Sequence, residues 1–444
     1  MSPNAGSPFD PVNTFLVQLG NPKGKALQVG GIEARELCGR FGSPLYVYDA
    51  EVFRGRLSMV QQALGEKVKV LFAVKSNSNL AVAKTFVDAG AGLEVASAGE
   101  LFLAQSSGVE TSLVQFAGPG KGPEDLQAAV RMGIYSLNAE SEAEVDAISE
   151  EAERQKKTQG VAIRVNPPQS VGGSRMRMGG GSKKFGVDLE RVPALMERIR
   201  VDSHLELRGL HIYAGTQCFS AKAWVENAGR LLDWALEMQK TTGIPLPSLN
   251  FGGGFGVPYF EGDQPFDLEE AGKGLAEVLA KDPDKERRYF VELGRFLCAP
   301  AGVYLCRVIY LKESQGKTHA ILDGGMHQHS AAAGVGSILR RAFPIVKAEA
   351  PYAERDKAYT LGGPLCTPAD EFAADYALPS LDQGDVLAIL GSGGYGLTFS
   401  NHSFLSHPTP GEVLVDQGEA YLVRTPGKPE DILRDQRLPE DGPR

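Results

Sequence analysis

Residues 67–97 read KVKVLFAVKSNSNLAVAKTFVDAGAGLEVAS and contain one complete β/α/β repeat of this chain. The runs KVKVLFAV and GLEVAS are short, apolar and rich in valine, which is typical of buried parallel strands. The stretch between them, LAVAKTFVDAG, has the apolar spacing of a helix and ends on a glycine. We therefore expect two neighbouring parallel strands joined by a helix.

The same alternation extends from about residue 45 to about residue 254. Its strand-like runs are PLYVYD, KVKVLFAV, GLEVAS, SLVQF, YSLNA, VAIRVNP, LRGLHIYAG and SLNFGGG. Eight β/α units in about 250 residues predict a TIM (β/α)8 barrel, an α/β fold. A doubly wound open sheet is the alternative, but such a sheet usually has its Gly-rich turn near the N-terminus, whereas here the Gly-rich loop lies at 252–256.

After about residue 300 the helical periodicity fades and strand-like runs follow one another, which predicts a separate all-β domain. We expect the barrel at 40–298 and a β domain, sandwich-like or barrel-like, at 12–39 and 299–425. The opening segment, from VNTFLVQLG to ALQVGG, is β-like and is assigned to that domain. Segments 1–11 and 426–444 are expected to be flexible tails.

The composition excludes several classes of protein. The 444 residues include 46 basic and 55 acidic ones, a formal net charge of −9, which argues against a nucleic-acid partner. No apolar run is long enough to cross a bilayer, so no membrane association is expected, and no signal peptide is visible. Five widely spaced cysteines without a C-x-x-C pair indicate neither a metal site nor a disulfide framework. A cytoplasmic protein fits best.

In a TIM barrel the chemistry lies at the carboxyl ends of the strands. That rule selects Lys75, Glu94, Ser97, Asn166, Tyr213, Thr216, Gly252 to Gly254 and Glu292. Lys75 ends an apolar strand, where burial favours the neutral amine, and the neutral amine is the nucleophile that forms imines. Taken alone, such a lysine more often reaches solvent.

Motifs along nearly the whole chain change that balance. From about Gly30 to about Val423 the chain resembles the fold-type III pyridoxal-phosphate (PLP) enzymes, the group of diaminopimelate, ornithine and arginine decarboxylases and alanine racemase. The motifs, in order, are GGIEARELCGRFGSPLYVYD, AVKSN, GLEVASAGEL, RVNP, KFGVD, GGGFG, ELGR, LDGGMH, GGPLCTPAD, GSGGYG and HPTPGEVLV.

The resemblance implies PLP as the cofactor, bound to Lys75 as a Schiff base. Glu292 would pair with the pyridine nitrogen and keep the ring protonated, which makes it a better electron sink. Alanine racemases have an arginine at this point, so Glu292 favours decarboxylation over racemisation. The other expected cofactor-binding residues are Glu94, Ser97, Tyr213, Thr216, Gly252, Gly253, Gly254, Gly294, Arg295 and Tyr395, of which the glycines, Arg295 and the Thr216 and Tyr395 hydroxyls would hold the phosphate.

Cys366 matches a cysteine that reaches the partner subunit's active site and helps to protonate the product. The resemblance therefore implies a homodimer with active sites at its interface. The expected substrate-binding residues are His211, Asp370 and Arg340, the last of which matches an arginine that binds a distal carboxylate in diaminopimelate enzymes.

Several positions depart from the family pattern. Tyr213 occupies the position of the histidine that stacks on the PLP ring, and Leu293 replaces a proline. Thr367 and Pro368 follow Cys366, where diaminopimelate and ornithine enzymes have an acidic residue that holds a distal ammonium. We therefore expect a pocket that accepts an anionic or acylated distal end.

The motifs CTPAD and FLSHP resemble those of a biosynthetic subgroup. Its members include decarboxylases of carrier-protein-linked amino acids in antibiotic assembly, and relatives from exopolysaccharide or siderophore clusters. The loop SVGGSRMRMGGGSKK, at 170–184, carries Arg175, Arg177, Lys183 and Lys184. This loop is either a docking site for an acidic acyl carrier protein or its phosphopantetheine arm, or a mobile active-site lid.

These observations predict a PLP-dependent carboxy-lyase that removes the α-carboxylate of an amino acid or a derivative, a class that includes carrier-linked substrates and antibiotic or siderophore intermediates. A diaminopimelate decarboxylase of lysine biosynthesis is the alternative. An amino-acid racemase and a non-catalytic PLP-binding homologue remain less favoured, because Lys75, Glu292 and Cys366 are all present.

Overall fold

A computed structural model describes residues 9–167, 174–177 by their backbone, 184–213, 215–336 and 340–438. The chain divides into two compact units. The first contains residues 53–258 and 264–297, and the second contains residues 1–52, 259–263 and 298–444.

The first unit is a closed barrel of eight parallel strands. The strands are β1 (Val68–Ala73), β2 (Gly92–Val95), β3 (Val114–Ala117), β4 (Ser136–Ala139), β5 (Gln159–Asn166), β6 (Leu205–His211), β7 (Ser248–Gly253) and β8 (Arg288–Leu293). Each strand pairs in parallel with the next, and β8 pairs with β1, which closes the sheet. The predicted TIM barrel is confirmed.

Helices follow these strands in turn. They span Leu80–Asp88, Ala98–Ser107, Pro123–Met132, Glu142–Arg154, Val192–Val201, Ala221–Thr242, Leu268–Ala280 and the short Arg295–Cys298. Another helix, Ala50–Leu64, precedes β1, and a single 3-10 turn, Val74–Ser76, follows it. None of the helices within the described residues is long and apolar enough to cross a membrane.

The barrel has the expected eight strands, but one of them is not the run that was expected. PLYVYD forms the strand Leu45–Asp49, which pairs antiparallel with Gly302–Ser314 and parallel with Gly411–Asp416, so it belongs to the second unit. The eighth barrel strand is instead Arg288–Leu293. Both runs are apolar and of strand length, so their sequences do not reveal which sheet they join.

The second unit contains a mostly antiparallel sheet of nine strands. Seven lie in the order Glu371–Leu378, Lys357–Gly362, Lys317–Leu322, Gly302–Ser314, Leu45–Asp49, Gly411–Asp416 and Glu419–Arg424. Val386–Leu390 pairs with Gly302–Ser314 and with Ile345–Lys347. This unit also contains the hairpin of Gln28–Val29 and Ile32–Glu33, followed by the helix Ala34–Phe41. The expected β-rich domain is therefore present.

The opening segment is a helix, so the β-like interpretation of VNTFLVQLG is wrong. The helix Pro11–Gln18 begins after Asp10, whose Oδ1 accepts the N–H groups of Val12 and Asn13 at 2.9 and 3.2 Å. Pro11 at the first helical position has no N–H to leave unsatisfied. The buried residues Val12, Phe15 and Leu16 share one helical face, and this spacing is the signal of a helix. Residues 1–8 and 439–444, parts of the two predicted tails, lie outside the described residues.

A buried ion pair holds the start of β8. Arg287 donates from Nε to Asp282 Oδ2 at 2.6 Å and from Nη1 to the Leu246 carbonyl at 2.5 Å. The Tyr289 hydroxyl also donates to Asp282 Oδ2, at 2.9 Å. Arg287 and Asp282 are both almost fully buried, so each charge depends on the other.

Asp282→Asn should lower the free energy of unfolding by about 3–5 kcal/mol, because it leaves a buried guanidinium without its nearest counter-charge, the more exposed Asp284 carboxylate lying 4.0 Å away. Urea unfolding followed by intrinsic fluorescence measures the change. Glu269→Gln is the matched control, since it removes one partner of the solvent-exposed Glu269–Lys273 pair on the same unit. The buried pair does not stabilise the fold if both variants unfold at the wild-type urea concentration.

Candidate active site

Lys75 and Glu94 meet at the carboxyl ends of β1 and β2. Ala73, the last residue of β1, is in register with Glu94, and Lys75 lies in the turn that follows. Lys75 Nζ donates to both Glu94 carboxylate oxygens, at 2.8 and 2.6 Å. The Glu94 side chain is 1% exposed and that of Lys75 is 38% exposed, so the amine lies at the edge of solvent.

Burial raises the pKa of Glu94 from 4.5 to about 7, because the nearby Lys75 ammonium offsets only part of the desolvation. The negative charge of Glu292 adds to the upward shift. A carboxyl group with such a pKa exchanges its proton near neutral pH.

Glu292 is a second buried carboxylate, near the end of β8, and its environment is the opposite. Its Oε1 accepts the Asn250 amide at 2.8 Å and lies 3.3 Å from His211 Nε2. Burial alone would raise its pKa, but the His211 imidazole, Lys75 and Arg164 outweigh this and lower the pKa to about 2. Glu292 therefore keeps its negative charge inside the barrel.

The glycine turn after β7 packs too closely for any side chain. A Cβ at Gly252 would lie 2.3 Å from the Ile212 carbonyl, and one at Gly253 would lie 1.6 Å from the Glu292 carbonyl. Gly252 and Gly254 have φ angles of +66° and +86°, which residues other than glycine rarely adopt. The Gly252 N–H donates to Asn250 Oδ1 at 2.9 Å, so it is already engaged within the chain.

The half-buried Tyr213 follows β6. Lys75 Nζ lies 5.8 Å from the Tyr213 ring centroid, and the Arg164 guanidinium lies 6.0 Å from it. Burial raises the pKa of Tyr213, and Lys75 and a hydrogen bond with Thr216 oppose that shift.

Ser97 has a structural role at the start of a helix. Its Oγ accepts the Glu100 N–H and so caps the helix Ala98–Ser107.

The barrel unit thus brings together most of the expected cofactor residues. Four expected residues, Arg340, Cys366, Asp370 and Tyr395, belong to the second unit. There, Asp370 Oδ1 accepts the Met326 N–H at 2.6 Å and Oδ2 accepts the Leu365 N–H at 2.8 Å, which anchors the segment that holds Cys366. Cys366 is exposed, in contrast to the four buried cysteines. Arg340 is also exposed.

Several polar side chains inside the barrel are not among the predicted site residues. They are Gln115, Asn138, Arg164 and Asn250, all buried. Each lies between two apolar residues of a strand-like run, in SLVQF, YSLNA, VAIRVNP and SLNFGGG. A polar residue between two apolar neighbours of a buried strand is the signal that could have identified them, since burial of a polar group requires a partner.

The donors and acceptors present fit PLP. The chain offers an amine for the aldehyde, a carboxylate of low pKa for the ring nitrogen and tight glycine turns for the phosphate. Among the described residues, both polar contacts of the Glu292 carboxylate go to Oε1, which leaves Oε2 to accept a ring N–H. The described residues contain no group of histidine, cysteine and acidic side chains placed to hold a metal ion.

The raised pKa of Glu94 predicts how stability depends on pH. The folded protein binds this proton more tightly than the unfolded chain, so through this group wild-type stability falls as the pH rises from about 4.5 to about 7. Glu94→Gln lacks the titrating carboxyl. The difference between its free energy of unfolding and that of the wild type should therefore shift in favour of the variant as the pH rises through that window and stay constant above it.

Urea unfolding at several pH values, without added cofactor, measures this difference. Glu110→Gln, at an exposed glutamate, is the control. A Glu94→Gln difference that stays constant from pH 4.5 to pH 7 contradicts the raised pKa.

The chain has relatives among characterised proteins. The family model for the pyridoxal binding domain of pyridoxal-dependent decarboxylases matches residues 51–299. The chain is 36% identical to L-glutamyl-[BtrI acyl-carrier protein] decarboxylase of Niallia circulans over 411 residues, 91% of this chain and 96% of that protein. It is 31% identical to diaminopimelate decarboxylase of Methanothermobacter thermautotrophicus over 94% of this chain and 97% of that one.

A solved structure shares the architecture. Diaminopimelate decarboxylase from M. jannaschii superposes with a TM-score of 0.87 at 26% identity, over 96% of this chain and 99% of that chain. The geometry of Glu94, Glu292 and the glycine turn fits PLP. The family match and the relatives that cover nearly the whole chain indicate the same cofactor. This chain belongs to the family of pyridoxal-dependent decarboxylases, and its cofactor is PLP.

Proposed function

We propose that this enzyme decarboxylates a glutamyl-type amino acid that is attached through its distal carboxyl group to a carrier protein, with Lys75 as the cofactor lysine. The observation that carries the site assignment is the opposed state of two buried carboxylates, Glu94 with a pKa of about 7 and Glu292 with a pKa of about 2. Two carboxyl groups whose environments separate their pKa values take different roles.

Glu94 is suited to move a proton at Lys75. The Lys75 amine must lose a proton to become nucleophilic, and both Glu94 oxygens lie within 2.8 Å of Nζ. Because the Glu94 pKa lies near neutrality, the carboxylate can accept that proton and return it.

Glu292 is suited to hold a positive charge opposite it throughout the reaction. When bound, PLP supplies the electron sink for the pair left by the departing carboxylate, and a protonated ring is the stronger sink. Glu292 remains ionised at neutral pH and would keep the ring nitrogen protonated. Tyr213, with its half-buried ring beside Lys75, would cover one face of the ring.

The substrate proposal rests on the loop of Cys366. Thr367 and Pro368 provide no negative charge next to the cysteine, so a distal ammonium has no partner there. The relative from Niallia circulans is named for an acyl-carrier-protein-linked glutamyl substrate. Most of the loop at 170–184 lies outside the described residues, and its four basic side chains support an acidic carrier as partner by charge alone.

The second unit supplies Cys366, and we place this residue in the active site of a partner subunit. Its exposure makes the thiol available to a second chain, and Asp370 fixes the segment that holds it. In this arrangement Cys366 donates a proton to the carbon that has lost CO₂. The functional enzyme is then a homodimer.

A substrate panel tests the activity. CO₂ release from glutamyl-carrier protein should exceed that from free L-glutamate, diaminopimelate, ornithine and lysine, whereas release from diaminopimelate alone would assign the lysine pathway instead. Exchange of the α-proton without CO₂ release would indicate a racemase.

In Lys75→Ala, borohydride should no longer attach the cofactor to the chain, and persistence of that attachment would exclude Lys75 as the cofactor lysine.

Mixed dimers test the role of Cys366. Lys75→Ala should be inactive, and Cys366→Ala should lose about 100-fold in kcat, as expected for loss of a positioned proton donor. After the two variants are exchanged in equal amounts, half of the dimers are mixed and one of their two sites is intact, so roughly a quarter of wild-type activity should return. A mixture no more active than its parents contradicts the shared site.

A further inference from the structure

One side chain that the mechanism above does not use, Asn250, contacts two of the expected cofactor-binding elements. It lies in β7 and is 2% exposed. Its Nδ2 donates to Glu292 Oε1 and to Gln115 Oε1, both at 2.8 Å, and its Oδ1 accepts the Gly252 N–H at 2.9 Å. The amide therefore uses both of its N–H donors and its oxygen.

The chemistry of the neighbours fixes the orientation of this amide. A backbone N–H can only donate, so Oδ1 must face Gly252. An ionised carboxylate can only accept, so Nδ2 must face Glu292. The reversed amide would place two acceptors together and two donors together inside the barrel, each pair at a cost. The amide satisfies both neighbours at once because it carries both a donor and an acceptor.

The contact at Glu292 is selective for one oxygen. Asn250 and His211 both approach Oε1, and no described residue donates to Oε2. The Asn250 hydrogen bond to one oxygen restricts rotation of the carboxylate, with His211 Nε2 3.3 Å from the same oxygen, and keeps the second oxygen available for a ligand. The contact at Gly252 holds the first glycine of the turn at a φ of +66°. Asn250 thus links Glu292, the carboxylate expected to pair with the pyridine nitrogen, to the start of the glycine turn.

We propose that Asn250 is a positioning residue that aims Glu292 Oε2 at the pyridine nitrogen of the cofactor and, through Gly252, couples that aim to the glycine turn. Gln115 supports it by accepting the second Nδ2 hydrogen. This inference rests on the proposed role of Glu292, and it adds a residue that acts through Glu292 without touching the reacting atoms.

The chain offers a matched control. Asn138 is also a fully buried asparagine inside the barrel, on β4. Its side chain accepts the Ser136 hydroxyl at 2.8 Å and donates weakly to Gln115 Oε1 at 3.5 Å. It contacts neither Glu292 nor Gly252 and reaches the network only through that long bond to Gln115, so Asn138→Ala creates a similar cavity and leaves both Asn250 contacts to Glu292 and Gly252 in place.

The test compares two ligands of the full-length protein after its cofactor has been removed. One ligand is PLP, and the other is the PLP analogue with a carbon in place of the ring nitrogen, which offers Glu292 no N–H. The wild type should prefer PLP, and Asn250→Ala should reduce that preference, the ratio of the two Kd values, by about tenfold, as expected for a hydrogen bond to a charged group. Asn138→Ala should leave the ratio within about threefold of the wild type.

The ratio separates positioning from general loosening. A merely structural role weakens both ligands equally, so an unchanged ratio in Asn250→Ala overturns the proposal even if PLP binds more weakly. If Asn250→Ala does not fold, Asn250→Ser is the second variant, because its short hydroxyl cannot reach Glu292, and the same fall in the ratio is expected. The measurement needs only binding, so it remains decisive if the panel above shows no decarboxylation and the proposed function fails.

Discussion

The structure of the site depends on keeping one ionised carboxylate inside a barrel. A buried carboxylate without partners would take up a proton, because desolvation penalises its charge. Glu292 avoids this through the Asn250 amide, the His211 imidazole and the positive charges of Lys75 and Arg164. The polar residues that interrupt the apolar strands form this environment, and it allows a negative charge to persist at neutral pH.

The second carboxylate experiences the same interior with a different result. Glu94 has one counter-charge, Lys75, and the negative Glu292 lies close enough to raise the pKa of Glu94 further. The negative charge of Glu292 therefore helps to raise the pKa of Glu94 toward neutrality. In the proposed mechanism one carboxylate holds a charge and the other transfers a proton, and the pKa of Glu94 depends in part on the charge of Glu292.

Much of this was predictable from local patterns. The β/α alternation predicts the barrel, because buried parallel strands are short apolar runs separated by helices. The strand-end rule selects Lys75, Glu94 and Glu292, since carboxyl ends of parallel strands share one edge of the barrel. The pattern failed where a short apolar run has no periodicity to distinguish its partners, so PLYVYD was assigned to the barrel although Leu45–Asp49 pairs in the β-rich unit. It failed again at Pro11–Gln18, where the helical cap of Asp10 was overlooked.

By itself, the sequence determined the fold class, the family and the residue types of the site, because these depend on periodicity and on motifs that are contiguous in the chain. Only the tertiary structure decided the chemical state of those residues. Asn250 and Glu292 are 42 positions apart, and Gln115 and Asn250 are 135 positions apart, yet each pair is hydrogen-bonded. A pKa depends on the distances between charges and on the solvent around them, and closure of the barrel sets both.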